Sequence, residues 1–142
     1  GFGILAWQKL GSSSAGMDYV EGQLKKGAMH LYAGSGDRQI VTRKILFLSP
    51  GSYDITAAFS SADMSNGASL QWSLACMTQA GNVVWSIEKM QLQANSAFRQ
   101  AFRVPVDCEA QALDIGISGG QSQQGAEIVI ESITLSKARM DL

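Results

Sequence analysis

The stretch Tyr53-Asp54-Ile55-Thr56-Ala57-Ala58-Phe59-Ser60 alternates without a break. Tyr53, Ile55, Ala57 and Phe59 fall on one side of an extended chain, and Asp54, Thr56, Ala58 and Ser60 fall on the other, the period of two that marks a half-buried strand. The same period recurs where Leu70, Trp72, Leu74 and Cys76 alternate with Gln71, Ser73 and Ala75. It recurs again where Phe98, Gln100, Phe102 and Val104 alternate with Arg99, Ala101 and Arg103. Working outward, further strands read at Ile4 to Lys9, Met17 to Glu21, Ala28 to Ala33, Gln39 to Leu48, Val83 to Ile87, Gln111 to Ile117 and Glu127 to Leu135. Turn residues separate them: Gly34-Ser35-Gly36-Asp37, Ser49-Pro50-Gly51, Asn66-Gly67, Gly81-Asn82 and Gly119-Gly120 supply the positive or fixed φ that a reversal needs. About ten short strands at this spacing predict an all-β sandwich or barrel.

One segment resists the pattern. Glu88 to Ala97 holds good helix formers and reads as a short helix or a long crossover loop, although Met90 and Leu92 also alternate with Gln91 and Gln93. Gly11-Ser12-Ser13-Ser14-Ala15-Gly16 reads as a mobile loop, too short to divide domains. The 142 residues fit one domain, residues 1–142, which at that length buries roughly 70% of its chain surface. Gly, Ser, Gln and Pro together would mark a low-complexity chain, but a hydrophobic content of 46% overrules that. Charged residues are only 16%, so the surface is polar and neutral rather than ionic.

Eleven Lys and Arg stand against twelve Asp and Glu, with six and five in residues 1–71 and five and seven in the remainder. No basic footprint for nucleic acid arises from that distribution. The longest aliphatic or aromatic run is Ile45-Leu46-Phe47-Leu48, far short of the ~20 residues that span a bilayer, so membrane insertion is not expected. The start, Gly1-Phe2-Gly3-Ile4-Leu5, has no basic region followed by a long apolar one and no initiator Met, and it reads as a module excised from a longer protein. Cys76 and Cys108 have no CxxC spacing and no His or Cys neighbours, which does not support a zinc reading. Two buried thiols and one disulfide both remain open.

Catalytic chemistry is sparse. Gly116-Ile117-Ser118-Gly119-Gly120 matches the G-x-S-x-G nucleophile elbow formally, but that motif needs a helix after the serine and a later His. No His follows Ser118, so the segment reads as a glycine-rich hairpin. The single histidine is His30, on which any Ser-His-Asp or Cys-His arrangement would have to converge. Glu127 with Glu131, and Asp107 with Glu109, are the candidate carboxylate pairs for glycoside hydrolysis, and both read as solvated groups. An enzyme is not expected, and no cofactor is implied.

The aromatics divide by face. Trp72 sides with Leu70 and Leu74, Trp85 with Val83 and Ile87, and Trp7 with Leu5, so all three are candidate core residues. His30 and Tyr32 project opposite to Met29 and Leu31. With Gln71, Ser73, Arg99 and Arg103 on the polar faces of other strands, they offer what a sugar requires: flat apolar area for C–H faces and hydrogen-bonding groups for hydroxyls. A plain polar sheet face is the competing reading.

Three runs in this order resemble a known family. Lys44-Ile45-Leu46-Phe47-Leu48-Ser49-Pro50-Gly51-Ser52-Tyr53, continuing to Phe59, resembles the strand, Pro-Gly turn and Tyr-initiated strand of carbohydrate-binding-module-like, galactose-binding-like β-sandwiches. Phe98 to Pro105, then Cys108 and Gln111 to Ile117, is similar to the next hallmark, and Ala126 to Leu135 to the closing strand. With Trp72 to Cys76, the likeness covers about residues 17 to 137 and points to a module found at the C-terminus of bacterial envelope and repeat-containing proteins. The resemblance implies a jelly-roll sandwich of two antiparallel sheets, non-catalytic, in a family where many members bind glycans and some hold a structural calcium near the chain ends. Two departures count against calcium here: Glu131 stands where such relatives have Asp, and Gly1-Phe2-Gly3 lacks the acidic residue that usually follows.

The expectation is therefore a carbohydrate-binding module for cell-envelope or extracellular polysaccharide, working outside the cytoplasm. Its ligand residues would be His30, Tyr32, Gln71, Arg99 and Arg103, and its partners a glycan or other domains of the parent chain. The alternative is a structural or protein-interaction β-sandwich with no small ligand.

Overall fold

The computed structural model describes residues 7–20, 28–63, 67–77, 82–91, 95–121 and 123–138. Among them run ten strands: β1 (Trp7–Lys9), β2 (Ala15–Tyr19), β3 (Met29–Ala33), β4 (Arg38–Leu46), β5 (Gly51–Asp63), β6 (Ser69–Cys76), β7 (Val83–Met90), β8 (Ser96–Val104), β9 (Gln111–Ser118) and β10 (Ala126–Lys137). They form two five-stranded sheets with antiparallel pairing throughout. The front sheet has the order β1-β4-β9-β6-β7, and the back sheet β2-β3-β10-β5-β8. From β3 onward each strand crosses to the opposite sheet, except at the β6–β7 hairpin, which is the double Greek key of a jelly roll. β1 and β2 extend that eight-stranded unit by one strand on each sheet.

Alternation explains which residues meet between the sheets. Leu70, Trp72, Leu74 and Cys76 from β6 and Leu113, Ile115 and Ile117 from β9 face Tyr53, Ile55, Ala57 and Phe59 from β5 and Ile128 and Ile130 from β10, all buried. Removing that apolar surface from water is the main force holding the layers together. An aromatic group fills one side of the sandwich: the Trp72 ring lies 4.9 Å from Phe98 and 6.5 Å from Trp85, and Trp85 lies 6.1 Å from Phe102. Trp7 is buried as well, so the three tryptophans are core residues as expected.

Two irregularities matter. In β4 the pairing slips between Ile40 and Thr42, so the adjacent Val41 and Thr42 are both buried, as a bulge allows. Thr42 then donates its hydroxyl to the Gln8 carbonyl at 2.9 Å, and Lys44 follows into a buried position where desolvation pushes its ammonium pKa below the usual lysine range. At the opposite end of β9, Gln111 is fully buried. Its Nε2 donates to the carbonyls of Cys108 and Leu48 at 2.6 and 3.2 Å, and its Oε1 accepts from the Leu48 N–H at 2.9 Å. One amide thus ties the β4–β5 loop to the β8–β9 loop.

Cys76 and Cys108, left open in the sequence, are joined in a disulfide with Cα atoms 5.3 Å apart. It fastens the end of β6 to the β8–β9 loop.

Several boundaries differ from expectation. Ala15 and Gly16 belong to β2 rather than to a loop. Glu88 to Ala97 is not a helix: its first three residues complete β7 and its last two open β8, while residues 92–94 lie outside the described residues. Parts of the expected strands and turns at Ile4–Ala6, Glu21, Asn66 and Gly81 also lie outside them. The hairpin expected at Gly116 to Gly120 is a crossover, because β9 and β10 lie in different sheets. Hydrogen bonds of 2.8 Å from the Gly119 N–H to the Asp37 carbonyl, and from the Gly36 N–H to the Gly120 carbonyl, pack that crossover against the β3–β4 turn.

Candidate functional site

The outer face of the front sheet carries a groove of about 440 Å³. Strand register lays out the sheet around it. Arg43 stands opposite Asp114, Asp114 opposite Ser73, and Ser73 opposite Ser86, so four polar residues form one row across β4, β9, β6 and β7. At the neighbouring level Ile40 stands opposite Gly116 and Gly116 opposite Gln71. Three inter-strand spacings make that row about 14 Å long. Arg38, Gln39 and Ile40 line the groove on the β4 side, and Ser86, Ile87 and Glu88 on the β7 side.

Asp114, which lines the groove, is compensated by Arg43 beside it. Arg43 donates from Nε and one terminal nitrogen to the two Asp114 oxygens at 2.6 and 3.0 Å, and that bidentate bond raises the guanidinium pKa further. The Gln71 amide is aimed by its neighbours: Nε2 donates to the Ser69 hydroxyl at 2.8 Å and to the Ser69 carbonyl at 3.2 Å. Its Oε1 lies over Gly116, where a Cβ would come within 3.0 Å of it. The groove therefore offers an oriented amide oxygen, the Ser73 and Ser86 hydroxyls and a half-exposed Ile40, with no exposed aromatic ring among its lining residues.

The back sheet holds the other expected residues, but not together. His30 and Tyr32 project from β3 with ring centroids 5.6 Å apart and planes inclined by 30°. Glu127 lies across from Tyr32 and Asp18 across from His30, and the His30 Nε2 is 3.5 Å from a Glu127 oxygen. Arg99 and Arg103 sit on β8, at the opposite edge of the same sheet, with β10 and β5 between. Arg99 donates to Asp54 at 2.8 Å and Arg103 to the Ser52 hydroxyl at 3.3 Å. Both are cations on an edge strand, the placement that discourages strand-to-strand association. Gln71 lies on the front sheet, beyond the core. The single polar face expected for His30, Tyr32, Gln71, Arg99 and Arg103 is thus three separate places, because β6 lies in the other sheet and β10 and β5 separate β3 from β8.

The groove residues Asp114, Ser86 and Glu88, and Arg43 beside Asp114, were not anticipated. Alternation already placed Asp114 outward between Leu113 and Ile115, but its partner Arg43 is 71 residues away and no local pattern links the two. Ser118 ends β9 and is followed by turns and then β10, not by the helix a nucleophile elbow needs. Asp107, Glu109, Glu127 and Glu131 are all exposed. Among the described residues no three His, Cys, Asp or Glu side chains converge as a metal site would require, and no helix is long and apolar enough to cross a membrane.

No protein-family model matches the chain, and no curated protein matches it in sequence. Solved structures do match it. A family 4 carbohydrate-binding module superposes with a TM-score of 0.62 at 15% identity, over 87% of this chain and 78% of that one. A family 61 module in complex with β-1,4-galactotriose gives 0.57 at 11% identity, over 93% and 88%. The fold is that of carbohydrate-binding modules. A Clostridium thermocellum xylanase carrying a family 22 module, complexed with xylohexaose, gives 0.57 at 12% identity, over 99% of this chain and 27% of that one. At such identities the likeness to carbohydrate-binding modules is one of fold.

Proposed function

We propose that this chain is a non-catalytic carbohydrate-binding module that lays an uncharged polysaccharide across the front-sheet groove. The observation that carries the reading is the transverse row Arg43, Asp114, Ser73 and Ser86 beside the oriented Gln71 amide, on a fold shared with such modules. Sugar hydroxyls both donate and accept, and this row presents donors and acceptors with internally balanced charge. A non-catalytic role fits the same geometry, since both Asp114 oxygens are held by Arg43 and His30 lies on the other sheet. The Cys76–Cys108 bond favours an oxidising, extracytoplasmic setting.

Calorimetry with xylohexaose, β-1,4-galactotriose and cello-oligosaccharides tests the reading. Millimolar or tighter binding to at least one, weakened about fivefold to tenfold by Gln71→Ala, is the expected result, corresponding to about 1–1.4 kcal/mol for a lost neutral hydrogen bond. No heat with any of them, or an unchanged affinity in Gln71→Ala, overturns the groove as the site.

A structural or interaction role is the second reading, and one observation favours it. Phe47 and Val106 are 79% and 73% exposed on the two loops that Gln111 ties together, and Met77 is half-exposed beside the disulfide. Rigidly held apolar side chains at one end of a sandwich are a protein-contact feature. Loss of a partner on Phe47→Ser with glycan binding intact would assign that end to contact.

A further inference from the structure

We propose that Tyr32, leaning over Gly16 on the back sheet, is a second and independent saccharide platform, rimmed by His30, Glu127 and Asp18, for sugars without an acid group. Gly16 stands opposite Tyr32 in the β2–β3 register, and a Cβ placed there would come within 2.8 Å of the Tyr32 Oη and 3.1 Å of Cζ. The phenol therefore reaches sideways over the β2 backbone, covering Gly16, which is buried, instead of standing off from the sheet. Tyr32 and His30 are half-buried, with ring centroids 5.6 Å apart and planes inclined by 30°, so two aromatic rings occupy neighbouring outward positions of one strand, with the apolar Val129 across from His30.

Around that surface are the groups that hydroxyls need. Glu127 and Asp18 side chains are 62% and 60% exposed, one on each flank of β3. Their oxygens accept hydrogen bonds from sugar hydroxyls while the ring faces take C–H groups, a division of labour suited to an amphipathic ring such as tyrosine. The two carboxylates also set the specificity: Lys9 lies 3.6 Å from Asp18 and the His30 Nε2 lies 3.5 Å from Glu127, so wherever His30 is neutral a uronic acid would bring its own carboxylate toward Glu127 and be repelled. Neutral or amino sugars meet no such cost.

A structural explanation exists as well, because a cross-strand aromatic covering an edge-strand glycine stabilises the pairing. Stability and binding must therefore be read separately. The platform does not depend on the groove, and residue-resolved NMR titration of the intact chain with xylohexaose, β-1,4-galactotriose and oligogalacturonate distinguishes them. Expected are shifts of the Gly16, His30 and Tyr32 resonances with a neutral sugar, persisting in Gln71→Ala, lost in Tyr32→Ala and retained in Tyr32→Phe. Glu127→Gln, which leaves the core untouched, should keep the melting temperature and reduce the at least tenfold preference over oligogalacturonate. Movement of the groove resonances alone overturns the platform and leaves the groove standing. Movement of the platform resonances alone supports the platform and overturns the groove. Shifts that persist unchanged in Tyr32→Ala overturn it too.

Discussion

Gln111 has no exposed surface, and its amide holds three backbone groups from two loops. Gln111→Ala strands those groups without water, at about 1–3 kcal/mol for each that finds no new partner, so we expect a loss of about 2–4 kcal/mol in urea unfolding. A loss below about 1 kcal/mol would mean that the loops hold without it. The tryptophans give the opposite case. The Trp72 and Trp85 Nε1 atoms are buried with no hydrogen-bond partner among the described residues, so replacing the indole of Trp85 by phenyl removes a costly donor as well as volume. Trp85→Phe should stay within about 1 kcal/mol of the parent, whereas Trp72→Ala, which empties the stack against Phe98, should cost about 3–5 kcal/mol. Residue by residue, inward and outward positions were legible because strand period fixes them. The role of Gln111 was not, since a glutamine at the start of an apolar run gives no sign of what its amide will reach.

At the scale of elements, all ten strands were legible, and their ends were the weak point. β2 takes in Ala15 and Gly16 from a glycine- and serine-rich run because pairing with β3 supplies what local propensity does not. The Glu88 to Ala97 segment looked helical in composition yet continues β7 and begins β8, each held by its sheet neighbour. The disulfide also links elements distant in sequence. It closes a separation of 32 residues, for which chain-entropy arguments give about 3–4 kcal/mol. Thiol titration of the unfolded, unreduced protein should find no reactive cysteine, and the Cys76→Ser, Cys108→Ser double variant should lose roughly that stability. Two titratable thiols in the denatured protein would exclude the bond.

For the whole molecule, the jelly roll places the groove and the His30–Tyr32 surface on opposite sides of one core. A net charge of -1, an Asp114 already paired with Arg43 and an uncharged ligand make recognition in the groove insensitive to salt, which screens charge–charge interactions beyond about 10 Å at 0.1 M. Affinity electrophoresis on a neutral polysaccharide should give the same retardation, within about twofold, at 0.05 and 0.5 M NaCl. A steep decline would mean that charged side chains carry the binding. The sequence by itself determined the strands, their buried faces, the identity of the core tryptophans and the scarcity of catalytic groups, all of which rest on short-range alternation and composition. Which strands became neighbours was decided only by tertiary structure. That choice paired Arg43 with Asp114, joined Cys76 to Cys108, set Gln71 on the sheet opposite Tyr32 and moved Arg99 and Arg103 to a far edge. Strand order is a property of contacts between distant segments, chosen by how two sheets bury their apolar faces together, and a period of two within each segment carries no record of it.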